Sequence, residues 1–147
     1  MTRGEWWFFS IGCLLLIVLL LPSQCKADEG IWFNTIVRSY HTNRTKGYNE
    51  ANYGIGIEVP LNSSWRLVAG EYRNSIYERT VYAGASYLPW APTPRIRVGA
   101  TGLCATGYSM KPCAPVFMAT ATYEQEHWGL NFSTVGVVSA LQLKVRW

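Results

Sequence analysis

The chain has 147 residues, a formal net charge of +4, 49% apolar and 14% aromatic side chains, and four cysteines. That length is the size of one domain. The basic residues are scattered rather than clustered or striped, which argues against nucleic acid as a partner. From the N-terminus, "FFSIGCLLLIVLLL" is an apolar block of about 14 residues that follows Arg3 and precedes Pro22. Cys25 and Ala27 are small residues at the two positions that a signal peptidase reads, so a signal peptide is expected over 1–27 and the mature domain over 28–147. A retained anchor over residues 6–22 is the alternative. A lipoprotein site at Cys25 is poorly served by Gln24 and Pro22. Cleavage leaves Cys104 and Cys113, and an even pair in an exported chain predicts a disulfide.

The mature chain lacks long apolar runs and helical periodicity, and reads instead as short alternating segments broken by Gly, Pro, Asn and Ser. A first strand is expected over Trp32 to His41, followed by the polar loop "TNRTKGYNE". The second is "ANYGIGIEV", with Tyr53, Ile55, Ile57 and Val59 on one face and Gly54, Gly56 and Glu58 on the other. The turn "PLNSS" leads to the third, "WRLVAGEYR", and "NSIY" leads to the fourth, expected from about Glu78 to Leu88 before a Pro-rich turn, "PWAPTP". The fifth is "RIRVGATGLC", the sixth "PVFMATATYE" after the loop "ATGYSMKPCA", the seventh "WGLNFST" after "QEH", and the eighth "ALQLKVRW". In that last segment Leu141, Leu143, Val145 and Trp147 alternate with Gln142, Lys144 and Arg146, a two-residue period with unlike faces.

Eight such strands predict an all-β fold, an eight-stranded antiparallel transmembrane β-barrel. Their lengths match the about 9–11 residues of a tilted membrane strand. An even count closes with both termini on the periplasmic side, and aromatics gather near strand ends (Trp32, Trp65, Tyr87, Trp90, Trp128, Trp147). A soluble β-sandwich or lipocalin-like barrel has the same periodicity with the faces exchanged. In the bacterial outer membrane, the terminal Trp147 would be recognised by the barrel-assembly machinery. The odd-numbered connections would then lie outside the cell, placing His41, Asn74 and Ser75 on one external rim and His127 in a periplasmic turn.

The only two histidines in the chain limit the candidates for a general base at neutral pH. His41 with Ser75 offers a base and a hydroxyl for acyl transfer, although a lone His at a strand end is more often a surface or hydrogen-bonding residue. No metal spacing, phosphate loop or G-x-S-x-G elbow is present, and neither metal nor organic cofactor is expected.

The order "YHTNRTKGYNEANYGIGI", then "GEYRNSIYERTVYAGASY", then an alternating final strand ending on an aromatic resembles the PagP family of lipid A palmitoyltransferases. The likeness spans most of the mature chain. Small barrels of this kind also occur in phages and prophages. The resemblance implies a monomeric outer-membrane acyltransferase whose partners are phospholipid and lipopolysaccharide. It puts the catalytic His on His41 and the Ser on Ser75, and places Asn74 where the family has Asp, so that Asn74 would orient the imidazole by hydrogen bonding without a charge to hold an imidazolium. It also implies that an acyl chain enters the barrel and stops at an acyl-chain floor on the fourth strand, at Gly84 and Ser86. The expected inward set, Gly54, Gly56, Gly70, Gly84, Ser86 and Gly99, is small enough to leave room for a ligand or else eases strand curvature. The rival expectation is a barrel without enzymatic activity, such as a phage or prophage surface protein that alters the envelope or its receptors.

Overall fold

The computed structural model describes residues 30–110 and 112–147, so the expected signal peptide and the alternative anchor lie outside the described residues. The strands are β1 (Trp32–His41), β2 (Gly54–Pro60), β3 (Trp65–Arg73), β4 (Arg79–Thr93), β5 (Ile96–Ala105), β6 (Ala114–Glu124), β7 (Trp128–Val135) and β8 (Val138–Arg146). Each pairs antiparallel with the next, and β8 closes on β1, giving a closed eight-stranded antiparallel barrel. Direct partners of Asn34 followed one way round lead through Gly56, Gly70, Tyr82 and Ala105 to Ala114. Followed the other way, they lead through Lys144 and Gly129 to Glu124, ten residues along the same strand. This stagger of ten exceeds the number of strands, which tilts them and widens the lumen.

Two features of the backbone differ from the expected strands. β4 does not stop at Leu88 but runs 15 residues to Thr93, through the segment expected to be a turn. Its register with β5 shifts between Tyr87 and Trp90 and again between Trp90 and Thr93, which lets Pro89 and Pro92 occupy irregular positions where a missing N–H breaks no regular ladder. The turn is shortened accordingly, with Thr93 Oγ1 accepting from the amides of Arg95 and Ile96 at 3.3 and 3.1 Å. In β1 the register against β8 shifts between Ile36 and Arg38, so Val37 is an extra residue. The inward parity changes there: Trp32 and Asn34 are buried below the bulge, Ser39 and His41 above it.

Burial assigns the two faces. Phe33, Ile55, Leu67, Val81, Tyr87, Phe117, Phe132, Leu141, Leu143 and Val145 are exposed on the outside of the barrel. Asn34, Glu58, Arg66, Thr80, Ser86, Thr101, Thr120, Asn131 and Lys144 are buried inside it. The barrel is therefore apolar outside and polar inside, the reverse of a soluble sandwich. A small cluster of Ile57, Val59 and Ala69, with Ile31 packed on it, lies on the outer parity of β2 and β3.

The glycines of the inward set serve close approach. A Cβ on Gly56 or Gly70 would come within 2.4 or 2.7 Å of the Tyr82 hydroxyl, so these two positions make room for a phenol reaching across from β4. A Cβ on Gly84 would meet the carbonyl oxygen of Gly102 at 2.1 Å. Space at Gly56 and Gly70 thus belongs to Tyr82, and that at Gly84 to the backbone of β5.

Candidate active site

The loops at one end of the barrel bring His41 and Ser75 together. Ser75 Oγ lies 2.8 Å from His41 Nε2, across 34 residues of sequence. His41 is only 5% exposed, and its ring lies against Tyr48 with centroids 4.7 Å apart. Its backbone N–H points to Glu50 Oε1 at 3.4 Å. His41 Nδ1 is buried and has no hydrogen-bond partner among the described residues.

Asn74 builds the turn that presents Ser75. Its Oδ1 accepts from the amides of Ile76 and Glu78, both at 3.0 Å, and its Nδ2 donates to Thr80 Oγ1 at 3.1 Å and to the Gly107 carbonyl at 3.0 Å. Tyr77 takes a left-handed φ of 65° to complete the turn, and its amide donates to the Asn74 carbonyl at 3.1 Å. All of these side-chain bonds stay within the second and third loops and the start of β4, so Asn74 works as a scaffold for the loops and not as the expected orienter of the imidazole. Asn49, from the "YNE" segment of the first loop, fixes Ser75 from the other side. Its amide donates to the Ser75 carbonyl at 2.9 Å and its Nδ2 to the Asn74 carbonyl at 3.2 Å.

The first loop also stands in for missing sheet. The β1–β2 ladder ends at the pair Ile36↔Gly54, below the level of His41. Above it, the Ser39 amide donates to the Glu50 carbonyl at 2.9 Å, Asn52 Nδ2 donates to the Arg73 carbonyl at 2.8 Å, and Ser39 Oγ donates to Asn52 Oδ1. Polar side chains of loop one thereby hold β1 to β3 where no strand intervenes.

Beneath the His41–Ser75 pair lies a cavity of about 860 Å³, lined near the mouth by Tyr48 and Ile76, at mid-height by Tyr82 and Leu103, and lower down by Asn34 and Glu58. Ser86 lines it as expected, but as one member of a belt. Ser86 Oγ is 2.7 Å from Thr101 Oγ1, which is 2.9 Å from Thr120 Oγ1, itself 3.2 Å from Ser133 Oγ. Gly84 is on the same face but is held against β5. The β6–β7 ladder begins at Ala119↔Thr134, β6 continues beyond it to Ala114, and Phe117, 77% exposed on the outside, lines the cavity too.

Cys104 and Cys113 stand at disulfide distance, with a Cα–Cα separation of 5.6 Å, and brace the third loop. Tyr108 of that loop meets Tyr72 of β3, hydroxyl to hydroxyl at 3.0 Å. His127 sits in the turn at the other end, where its carbonyl accepts from the Arg146 amide at 2.9 Å, far along the barrel from the His41–Ser75 pair. Among the described residues, no group of three or more His, Cys, Asp or Glu is placed to hold a metal ion.

Several residues of this region are absent from the expected site: Asn49, Asn52, Tyr72, Tyr82 and Tyr108. Their types give little signal alone, since each becomes notable only through partners 12–36 residues away. No family model matches the chain, and no curated protein matches it significantly.

Proposed function

We propose that this protein is an outer-membrane barrel that transfers an acyl chain from a phospholipid to the lipid A part of lipopolysaccharide, in the manner of the PagP family. The observation that carries the reading is the His41–Ser75 pair, 2.8 Å apart with His41 buried, at the mouth of a cavity of about 860 Å³. That volume falls within the roughly 300–1,000 Å³ of small-ligand sites. The membrane location is supported by the exposed apolar side chains on the outer face of the strands and by the buried charges inside. The stretch of β6 from Ala114 to Met118, which has no partner in β7, is where a lipid tail would enter without crossing the polar rim.

In this mechanism His41 Nε2 takes the proton of an acceptor hydroxyl of lipid A, with Ser75 relaying it or fixing the ring. The freed oxygen attacks the ester carbonyl of the phospholipid, a new C–O bond forms, and the tetrahedral intermediate collapses by breaking the old one. The imidazolium returns its proton to the departing lysophospholipid oxygen, so charge and atoms balance.

A second reading is a barrel without catalytic activity, a phage or prophage surface protein that modifies the envelope or its receptors. The bare Nδ1 of His41 and the commitment of Asn74 to its turn favour it, because the pair has no third member to stabilise an imidazolium. Mass spectrometry of lipid A from cells expressing either the wild type or His41→Ala separates the two. Acyl transfer predicts a species heavier by one acyl chain with the wild type, reduced about 10²-fold or more in the variant. Identical spectra favour the inert barrel.

A further inference from the structure

The turn end of the lumen holds a second group of chemistry-bearing side chains, unrelated to His41 and Ser75. Glu58 of β2, Arg66 of β3, Glu124 of β6 and Lys144 of β8 converge inside the barrel. Each acid pairs with both bases. Lys144 Nζ is 3.0 Å from Glu58 Oε1 and 2.6 Å from Glu124 Oε1, and Arg66 bonds to both carboxylates. Trp32 lies beside the cluster, its ring 4.8 Å from Lys144 Nζ.

The cluster stands between two spaces. Glu58, with Asn34 and Asn131, lines the cavity of about 860 Å³ that opens at the loop end. Arg66 and Glu124, with Trp32 and Arg146, line a separate polar pocket of about 230 Å³ at the turn end. The partition is thus a layer of charged side chains, without the apolar packing that would seal it permanently. It is also incompletely satisfied: Asn34 Oδ1, Asn131 Oδ1 and Arg66 Nε are buried without a hydrogen-bond partner among the described residues, two acceptors and one donor of the kind that bind water.

We propose that the Glu58–Arg66–Glu124–Lys144 cluster is a gate, whose rearrangement joins the two chambers into a water-filled path for small ions through the barrel. The fourfold pairing supplies the alternative arrangements. When one ion pair parts, each charge keeps a partner on another strand, so an opened state leaves no buried charge alone. The unpartnered atoms then supply hydration sites along the gap. This inference rests on the membrane-barrel reading and not on acyl transfer.

The test is conductance across planar bilayers containing the purified barrel. The wild type is expected to be mostly closed with brief openings. Two exchanges that leave the net charge unchanged weaken the gate while keeping all four positions polar: Glu58→Gln with Lys144→Gln, and Arg66→Gln with Glu124→Gln. Either is expected to raise the open fraction on the order of tenfold or more. Heat-dependent gel migration reports whether each protein is folded, and flotation with phospholipid vesicles reports whether it enters a bilayer. Folded barrels that float yet stay silent in wild type and variants alike overturn the gate alone. A wild-type barrel that does not associate with vesicles overturns the membrane reading and the gate with it. If neither exchange folds, the wild type decides: brief openings uphold the gate, and silence at all applied voltages removes it.

Discussion

The two ends of the lumen are built from the same alternating strands yet solve opposite problems. At the turn end, long charged side chains fill the barrel, and Lys144 is wholly inaccessible to solvent. At the loop end glycines, hydroxyls and amides alternate with tyrosines around open space, and apart from Lys46 near the mouth the polar groups there are neutral amides, hydroxyls and one imidazole. An eight-stranded barrel is only just wide enough for its own side chains to fill. Whether such a barrel has a floor or a site is therefore decided by side-chain size at the inward positions, one strand at a time. The charged end closes the structure, while the neutral end leaves a concavity where chemistry has room.

The contrast is broken most directly at Lys144. Replacing it with Ala removes one of two cations from a cluster holding the buried Glu58 and the partly buried Glu124, and the loss of one partner of a buried pair costs about 3–5 kcal/mol. His41→Ala, which deletes one hydrogen-bonded side chain beside an existing cavity, is expected to cost about 1 kcal/mol. Urea unfolding in detergent, followed by heat-dependent migration, measures both on one scale. Equal effects at the two ends would mean that the charged cluster does not close the barrel in the way described.

The contrast also marks what could be read in the chain. The alternation of Leu141, Leu143 and Val145 with Gln142 and Lys144 was legible because a two-residue period needs only neighbours in sequence. Which face points inward was not, since a soluble barrel has the same pattern. The β1 bulge was invisible for a related reason. Counting by twos from Trp32 and Asn34 puts His41 on the outside, and only the extra residue at Val37 turns it in. The extension of β4 through Pro89 and Pro92 was hidden because proline is a turn signal unless a partner strand supplies irregular register. His41 and Ser75 are legible as a base and a hydroxyl, and again through family resemblance, but their contact depends on the bulge and on Asn49. The ionic cluster is four isolated charges on four strands. Its assembly follows from the stagger of ten, which no single segment encodes.

Asn74 sharpens the comparison from the loop end. In the PagP family an Asp is expected here, so Asn74→Asp asks whether the loops are built for a carboxylate. The geometry answers against it, since Asn74 Nδ2 donates to the Gly107 carbonyl at 3.0 Å, where a carboxylate oxygen would face another acceptor. Asn74 is fully buried, so the lost donor and the acceptor clash are expected to cost about 1–3 kcal/mol. Hydrogen exchange should show the loss confined to residues 74–78 and 106–110, with the turn end unaffected. A variant as stable as the wild type would mean that Asn74 is not the scaffold of these loops.

The smallest effect is expected at Ser86, between the two ends. Ser86→Gly removes the first hydroxyl of the belt and its 2.7 Å contact with Thr101, at a cost of about 1 kcal/mol. The same change lowers the floor of the cavity on the β4 side without touching Gly84, whose Cβ position is closed by the Gly102 carbonyl. Under the acyl-transfer reading, lipid A from cells carrying Ser86→Gly acquires a longer chain than with the wild type, and mass spectrometry reads the difference directly. Unchanged length with normal activity would place the stop lower, at Glu58 and Asn34, where the charged layer begins. Whichever depth the chain reaches measures where the neutral half of the lumen gives way to the ionic one.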